Sequence, residues 1–474
     1  MISSRREAIT SLFSPGSIAV VGATDNPTKR GFRIVKHLKE GGFAGRIYPV
    51  NPRLNEIFGL KAYSSLLAIP ESVDQVIFAI KAESIPDVLA QCAAKKAKVA
   101  IIHSGGFGET GAEGRKISER LVRAAATNDI SIVGPNTIGS FSCSSALNGT
   151  ANPTPLPWLK GSVALISQSG SISILLLEAA RMANIGISKF VGVGNCDDIQ
   201  TEDFLDYLAD DNETSIIMTF MEGTKDGKRF MELIGRISPV KPIIVMKVGR
   251  TELGARAASS HTASLAVSEK LFDSLLHQYG GIRAEDPAEM IDLAVTLSRT
   301  PNRSVGDIGI VCFGGGLAVE TADACGLANL RLAELRNETI AELRRRLPSE
   351  AGNFRNPVEV TAAHAPPSEV LTEYVNCAEL VLADPNVRTI ILPNVGRQFQ
   401  PKAFVDRILQ IRGKSEKNIV VIWLLSNYPE VQAELPRLHQ ANITVYSSIE
   451  RGIKCLGVAK DYYKRVSTTK ARTG

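Results

Sequence analysis

Ser17–Gly22 reads SIAVVG, and Ala23–Pro27, ATDNP, follows at once. A β-branched run closes on a glycine, passes through a polar turn and enters an amphipathic pattern over Gly31–Gly41. This is a strand–turn–helix unit. The unit recurs downstream: Ile47–Val50, Gln75–Ile80, Val99–His103 and Ile130–Gly134 read as strands, with helical patterns such as Ile85–Lys95 and Gly114–Asn128 between them. Strands alternating with helices predict a parallel α/β sheet. In such a sheet ligands sit at the carboxyl ends of the strands, where Gly22, Gly105, Gly106 and Gly134 concentrate. The turn after Gly22 lacks GxGxxG spacing, so taken alone it is a plain structural turn or a ligand contact with equal weight.

Gly134–Gly139 (GPNTIG) follows the fifth strand. Its proline and two glycines fix a tight turn, and Asn136 offers an amide to a carboxylate; the alternative is a rigid turn that crosses between domains. Leu147–Leu159 has three prolines in thirteen residues and reads as a linker. A second sheet begins at Ser162–Ile166. Ser167-Gln168-Ser169-Gly170-Ser171 then leads into a helix reaching about Asn184. A strand feeding a small polar turn and a helix amino end is an anion site, or simply a serine N-cap. Lys189–Gly194 is a strand, Asp197 and Asp198 are loop or cap residues, and Thr201–Ala209 is a helix. The strand Ser215–Phe220 delivers Glu222 at its carboxyl end. Core packing does not place a lone carboxylate there, because burying it uncompensated is unfavourable.

Ala257–Ala266 (AASSHTASLA) lies between the strand Pro242–Val248 and a helical pattern beginning near Val267, with Gly249 and Gly254 upstream. Small residues let a backbone approach a compact anion. A histidine in that setting, His261, suits phosphoryl transfer through a ring nitrogen; the alternative is a packing or surface histidine. His37, His277 and His439 fall in helical patterns, His364 in a loop and His103 at a strand end. After the polar hinge Arg299–Arg303, a third α/β unit runs through Ile308–Phe313, Gly314-Gly315-Gly316, Asn356-Pro357-Val358-Glu359, Thr389–Leu392 and Ile419–Leu424.

The 474 residues are 44% hydrophobic and 22% charged, enough for two to four ordinary domains and without the signature of disorder. A net charge of +5, dispersed along the chain, is too mild to indicate a nucleic-acid partner. Seven scattered cysteines without CxxC spacing argue for a reducing compartment and against structural zinc. No apolar run reaches membrane-spanning length and the start lacks a signal-peptide core, so the expectation is a cytoplasmic protein that does not engage membranes.

Several motifs occur in one order: VGA, SGGFGETG, GPNTIG, SQSG, MEGTKDG, SSHTASLA, GGG and NPV. Together they resemble the α-type part of the nucleoside-diphosphate-forming acyl-CoA synthetases, in the superfamily of the succinyl-CoA synthetase α subunits, over about Ile9–Ala459. Ala263 stands where the family's SHTGSLA has glycine, and Glu359 where its NPVD has aspartate.

The resemblance implies an α/β chain with a Rossmann-like CoA-binding domain over 1–145. Two flavodoxin-like parallel-sheet domains would follow, 146–300 carrying the phosphohistidine and 301–474. It implies CoA contacts at Gly22, Ala23, Thr24, Asp25, Asn51, Pro52, Arg53, Ile80, His103, Ser104, Gly105 and Gly106, with Lys29 and Arg30 as further phosphate partners. The acyl group would lie beside Asn136 and Thr137, and phosphate at Ser167, Gln168, Ser169 and Gly170. His261 would be phosphorylated, with Glu222 orienting its ring. The reaction implied is acid + ATP + CoA to acyl-CoA + ADP + phosphate. ATP or ADP and Mg²⁺ would be held mainly by an ATP-grasp β subunit in an α2β2 assembly, because the chain carries no length for that module after Lys460. Two other classes are a non-catalytic CoA-binding regulatory protein, disfavoured by intact His261 and Glu222, and an NAD-dependent dehydrogenase, disfavoured by the missing fingerprint.

Overall fold

The computed structural model describes residues 2–153, 158–254, 256, 269–300, 304–347, 353–360 and 366–473. His261 and the surrounding stretch lie outside them, as does His364. The chain divides into two compact units, Met1–Pro287 and Ala288–Gly474.

The first unit opens with a helix that carries no signal in the residue pattern, α1 (Ile2–Phe13), whose Ala8, Ile9, Leu12 and Phe13 are buried. Then come β1 (Ser17–Val21), α2 (Arg30–Glu40), β2 (Arg46–Val50) and a small antiparallel pair, β3 (Glu56–Ile57) with β4 (Leu60–Lys61). β5 (Gln75–Phe78), α3 (Ile85–Ala94), β6 (Val99–Ile102), α4 (Ala112–Thr127) and β7 (Ser131–Val133) complete a five-stranded sheet of order β2-β1-β5-β6-β7. Every pairing in it is parallel. β1, β5 and β6 are buried along their whole length, which is why they read as continuous apolar runs rather than alternating ones.

The second sheet has the order β14-β13-β12-β10-β11-β8-β9. Its parallel part comprises β10 (Lys160–Ser167), β11 (Ile187–Gly192), β12 (Ile216–Met221), β13 (Ile243–Lys247) and β14 (Ile282–Arg283), with α5 (Gly170–Met182), α6 (Thr201–Ala209) and α7 (Gly227–Ile237) among its connections. The stretch between the sheets is not wholly a linker. β8 (Ser140–Ser142) and β9 (Leu147–Asn148) pair antiparallel with each other, and β8 adds antiparallel to β11. The chain thus starts the second sheet at its far edge before crossing to β10. Both sheets contribute to one apolar core, in which Ile18, Val20, Val99 and Val133 share a cluster with Ile166, Val191, Phe204 and Ile217.

The second unit holds a five-stranded, all-parallel sheet of order β16-β15-β17-β18-β19. Its strands are β15 (Ile308–Cys312), β16 (Val358–Glu359), β17 (Thr389–Val395), β18 (Asn418–Leu424) and β19 (Thr444–Tyr446). The helix Pro287–Arg299 belongs to this unit: Asp292 pairs with Arg451 at 2.5 Å, and Thr296 shares a hydrogen bond with Tyr446. No helix among the described residues is long and apolar enough to cross a membrane. All seven cysteines are free.

Candidate functional site

The sheet order β2-β1-β5-β6 brings four strand-end loops side by side. Gly22 takes φ +91°, and a Cβ there would lie 2.6 Å from the Ala79 carbonyl oxygen. Gly31, in the first turn of α2, is closer still: a Cβ would come within 2.9 Å of the Gly22 carbonyl carbon and nearer to its oxygen. Only glycine lets the helix amino end sit this tightly on the β1 turn. The Asn51 Nδ2 donates to the Ala23 carbonyl at 2.7 Å, while its Oδ1 accepts the Arg53 amide at 2.8 Å. Ser104 Oγ donates to the Ile80 carbonyl. The structure therefore brings Gly22–Asp25, Asn51–Arg53, Ile80 and Ser104–Gly106 into one row, with the side chains of Asp25, Lys29 and Arg53 exposed.

Two residues expected in this row are engaged within the protein. Arg30 donates its guanidinium to the His103 backbone carbonyl, tying α2 to the end of β6. The His103 ring is wholly buried against Gly139, so it presents no side chain to a ligand. Burial, reinforced by the nearby Arg30 charge and partly offset by the Gly149 backbone, pushes its imidazole down to about 3, so the ring is neutral at neutral pH.

The turn 134–139 sits between the two sheets. Gly134–Pro135 is cis, and Gly134, Asn136 and Gly139 all have positive φ. The Asn136 amide donates to the Ser104 carbonyl at 2.9 Å, and a Cβ on Gly105 would lie 3.3 Å from Asn136 Oδ1. Asn136 therefore meets the loop after β6. Thr137 is only 4% exposed and turns the other way. Its hydroxyl donates to the Gly192 carbonyl and accepts the Gly139 amide at 3.0 Å. It locks the turn onto β11 rather than lining a pocket.

On the second sheet, Ser167–Gly170 leaves β10 and opens α5. Ser167 Oγ donates to the Ser169 carbonyl at 3.0 Å, and Ser169 Oγ accepts the Ile172 amide at 3.5 Å as the N-cap. A Cβ on Gly170 would lie 2.8 Å from Ile138 Cγ2, so the helix amino end abuts the 134–139 turn. Gln168 has a different task from its neighbours. Its Oε1 accepts the Glu222 amide at 2.6 Å and the Gly223 amide at 3.2 Å, and its Nε2 donates to the Gly223 carbonyl at 2.8 Å. The side chain thereby clamps the backbone that carries Glu222.

Glu222 itself follows β12, whose Met221 pairs with Lys247 of β13. The Val248 amide donates to the Met221 carbonyl at 3.1 Å, so the chain leading to His261 departs from the strand beside Glu222. Glu269, the first residue of the helix Glu269–Gln278, ties back to the end of β13 and the residues after it. It pairs with Lys247 and with Arg250, each at 3.5 Å, and with Arg283. These three ion pairs hold Glu269 at the carboxyl edge of β13 and β14.

Residue patterns alone did not single out two further participants. Glu109 and Asn195 bond to each other across the two sheets, at 2.6 Å between Oε2 and Nδ2. Glu109 stands in the SGGFGETG motif, and that motif is the signal by which it was findable. The site is thus a glycine-rich row suited to an extended anion, a central turn, and a small-residue helix entry beside the clamped backbone of Glu222. These parts suit an extended phosphate-bearing ligand on the first sheet beside a second anion site at the amino end of α5.

Comparison with known proteins agrees with this division. The CoA binding domain family matches residues 16–141, and the succinyl-CoA ligase like flavodoxin domain family matches residues 160–297. The α subunit of acetate–CoA ligase [ADP-forming] I from Pyrococcus furiosus is 36% identical, over 96% of this chain and 98% of its own length. The acetate–CoA ligase [ADP-forming] of Methanocaldococcus jannaschii is 38% identical over 74% of this chain, which spans 49% of that longer protein. Among solved structures, the dinucleotide-forming acetyl-coenzyme A synthetase 1 of Ca. Korarchaeum cryptofilum in complex with phosphate and ADP superposes with a TM-score of 0.86. It is 31% identical, with 98% of this chain and 99% of that one covered. The shared fold, site order and near full-length identity establish that this chain belongs to the α-subunit family of the ADP-forming acetate–CoA ligases.

Proposed function

We propose that the chain is the α subunit of an ADP-forming acyl-CoA synthetase that works through a phosphohistidine at His261. The observation that carries this reading is the clamped Glu222 backbone at the end of β12, beside the strand from which the His261 segment leaves. A carboxylate held there orients the imidazole and fixes its tautomer, leaving the other ring nitrogen as nucleophile.

In the ligation direction, phosphate arrives on His261 from ATP at the partner subunit. The carboxylate of the acid attacks the phosphorus; the P–N bond breaks and the P–O bond of acyl phosphate forms. The CoA thiol then attacks the acyl carbon, a C–S bond replaces the C–O bond, and phosphate leaves with the thiol proton. Phosphate is held at Ser167–Gly170, where the amino end of α5 favours negative charge. The acyl group lies at the turn bearing Asn136. CoA runs over Gly22–Asp25, Asn51–Arg53, Ile80 and Ser104–Gly106, with the exposed cations of Lys29 and Arg53 toward its phosphates.

This assignment places CoA recognition in residues 1–145 and the phosphohistidine in 146–300, with 301–474 as a second flavodoxin-like domain. The partner is an ATP-grasp β subunit in an α2β2 enzyme; it holds the nucleotide and Mg²⁺, which neutralises phosphate charge there. Seven free cysteines accord with work in the reducing cytoplasm. The test is ligation: the chain copurified with its β subunit, given ATP, Mg²⁺, CoA and a panel of small acids, forms a thioester with at least one of them. A complex that binds CoA tightly yet makes no thioester and releases no ADP with any acid would instead be a CoA-sensing protein.

A further inference from the structure

Glu109 occupies a single turn just after the loop 104–107. Its Oε1 accepts the Gly106 amide at 2.6 Å and the Phe107 amide at 3.2 Å, and its Oε2 accepts the Asn195 side-chain amide at 2.6 Å. Asn195 belongs to the loop after β11, and its own backbone amide donates to the Pro135 carbonyl at 3.0 Å. One carboxylate therefore spans the strand-end loops of both sheets. Partial burial pushes the Glu109 carboxyl up, but the hydrogen bonds from Asn195, Gly106 and Phe107 outweigh that and hold it below the usual carboxylate range. It is an acceptor with three donors converging on it.

We propose that Glu109 is a positioning residue for acyl transfer, fixing the loop that carries the thiol end of CoA against the loop that frames the acyl and phosphate turns. The inference rests on the ligase reading above. Thiol attack requires the reacting atoms within about 3–3.5 Å, yet the thiol carrier is bound by the first sheet and the acyl phosphate by the second. Backbone bonds tie the central turn to each side, through the Asn136 amide to the Ser104 carbonyl at 2.9 Å and the Asp197 amide to the Gly134 carbonyl at 3.0 Å. Glu109 closes the third side directly. It also has no slack: a Cβ on Gly105 would lie 3.0 Å from Oε1. Without the carboxylate, the amides of residues 106 and 107 and the Asn195 amide lose their acceptor together, and the thiol end of CoA loses its register.

The experiment uses the complex with the β subunit and reads three quantities: phosphohistidine formation from ATP, the rate of CoA-dependent acyl-CoA formation, and the CoA dissociation constant. Glu109→Ala leaves phosphohistidine formation at the wild-type rate, weakens CoA and slows acyl-CoA formation on the order of 10²-fold, the scale of an ångström's misplacement. Glu109→Gln keeps Oε1 for both amides and recovers to within about tenfold of wild type. Asn195→Ala, which loosens only one side, falls between them. The proposal is overturned if phosphohistidine formation and acyl transfer fall in parallel in all three variants, or if Glu109→Ala makes acyl-CoA at the wild-type rate. Should Glu109→Ala not fold, the other two variants decide by the same split. A wild-type complex that never forms phosphohistidine strikes the ligase reading alone; CoA affinity still tests the tie, and equal affinity in wild type and Glu109→Ala overturns it.

Discussion

Replacing Gln168 by alanine separates two roles for the SQSG turn. A side chain there that only contacts phosphate would, when removed, weaken phosphate binding and leave Glu222 in place. The geometry assigns it instead three hydrogen bonds to the Glu222–Gly223 backbone, at 2.6, 3.2 and 2.8 Å. At about 1 kcal/mol net for each, Gln168→Ala releases about 3 kcal/mol of constraint on that backbone. A carboxylate free to move by about 1 Å costs a positioned reaction on the order of 10²-fold. The expected result is phosphohistidine formation slowed about a hundredfold, measured in a single turnover by rapid quench, while the CoA dissociation constant stays at the wild-type value. Gln168→Glu serves as the companion, because it keeps Oε1 but sets an oxygen against the Gly223 carbonyl, and it loses rate as well. The reasoning is refuted if Gln168→Ala forms phosphohistidine from ATP at the wild-type rate.

At Gly31, alanine would normally stabilise a helix by about 1 kcal/mol; here its Cβ meets the Gly22 carbonyl group, so Gly31→Ala is expected to destabilise by about 1–3 kcal/mol and to weaken CoA measurably by calorimetry. Thr137→Val removes the hydroxyl that bridges Gly192 and Gly139, and should cost about 1–3 kcal/mol of stability without changing the KM for the acid, read by chemical denaturation and steady-state kinetics. For His103 the folded value is depressed from 6.5 to about 3, so the unfolded chain binds the extra proton first. Its contribution is complete above pH 6.5 and is lost as pH falls toward 3, with a limiting slope of about 1.4 kcal/mol per pH unit. Unfolding midpoints of the wild type between pH 7 and 5 should therefore drop more steeply than those of His103→Gln.

The legible part of this chain was the part written in continuous apolar runs. β1, β5, β6, β12 and β13 are buried end to end, and each announces itself as a short β-branched stretch closed by a turn residue. The hairpin of β8 and β9 left no such trace, because strands of two and three residues are too short for periodicity and the prolines after them read as linker. α1 is only weakly amphipathic in sequence, although Ile9, Leu12 and Phe13 anchor it to the core. Within the site, Glu222 and the SQSG turn stand out by composition and position. What the residues do to one another does not: Gln168 reaches Glu222 across 54 positions between neighbouring strands and Asn195 reaches Glu109 across 86 between the two sheets, and such ties exist only once the sheets have formed. His103 shows the converse. The family resemblance implies a CoA contact there, while the ring packs beneath Gly139, in the turn before β8.

The central claim is phosphoryl transfer through His261, and phosphate incorporation tests it most directly. The complex with the β subunit is incubated with γ-labelled ATP and Mg²⁺, and the α chain is assayed for label that is acid-labile and base-stable, with His261→Ala beside it. The account predicts label on the wild-type chain, none on His261→Ala, and rapid discharge when CoA and a competent acid are added together. Label that persists in His261→Ala, or a complex that makes acyl-CoA while the α chain never carries phosphate, would contradict it.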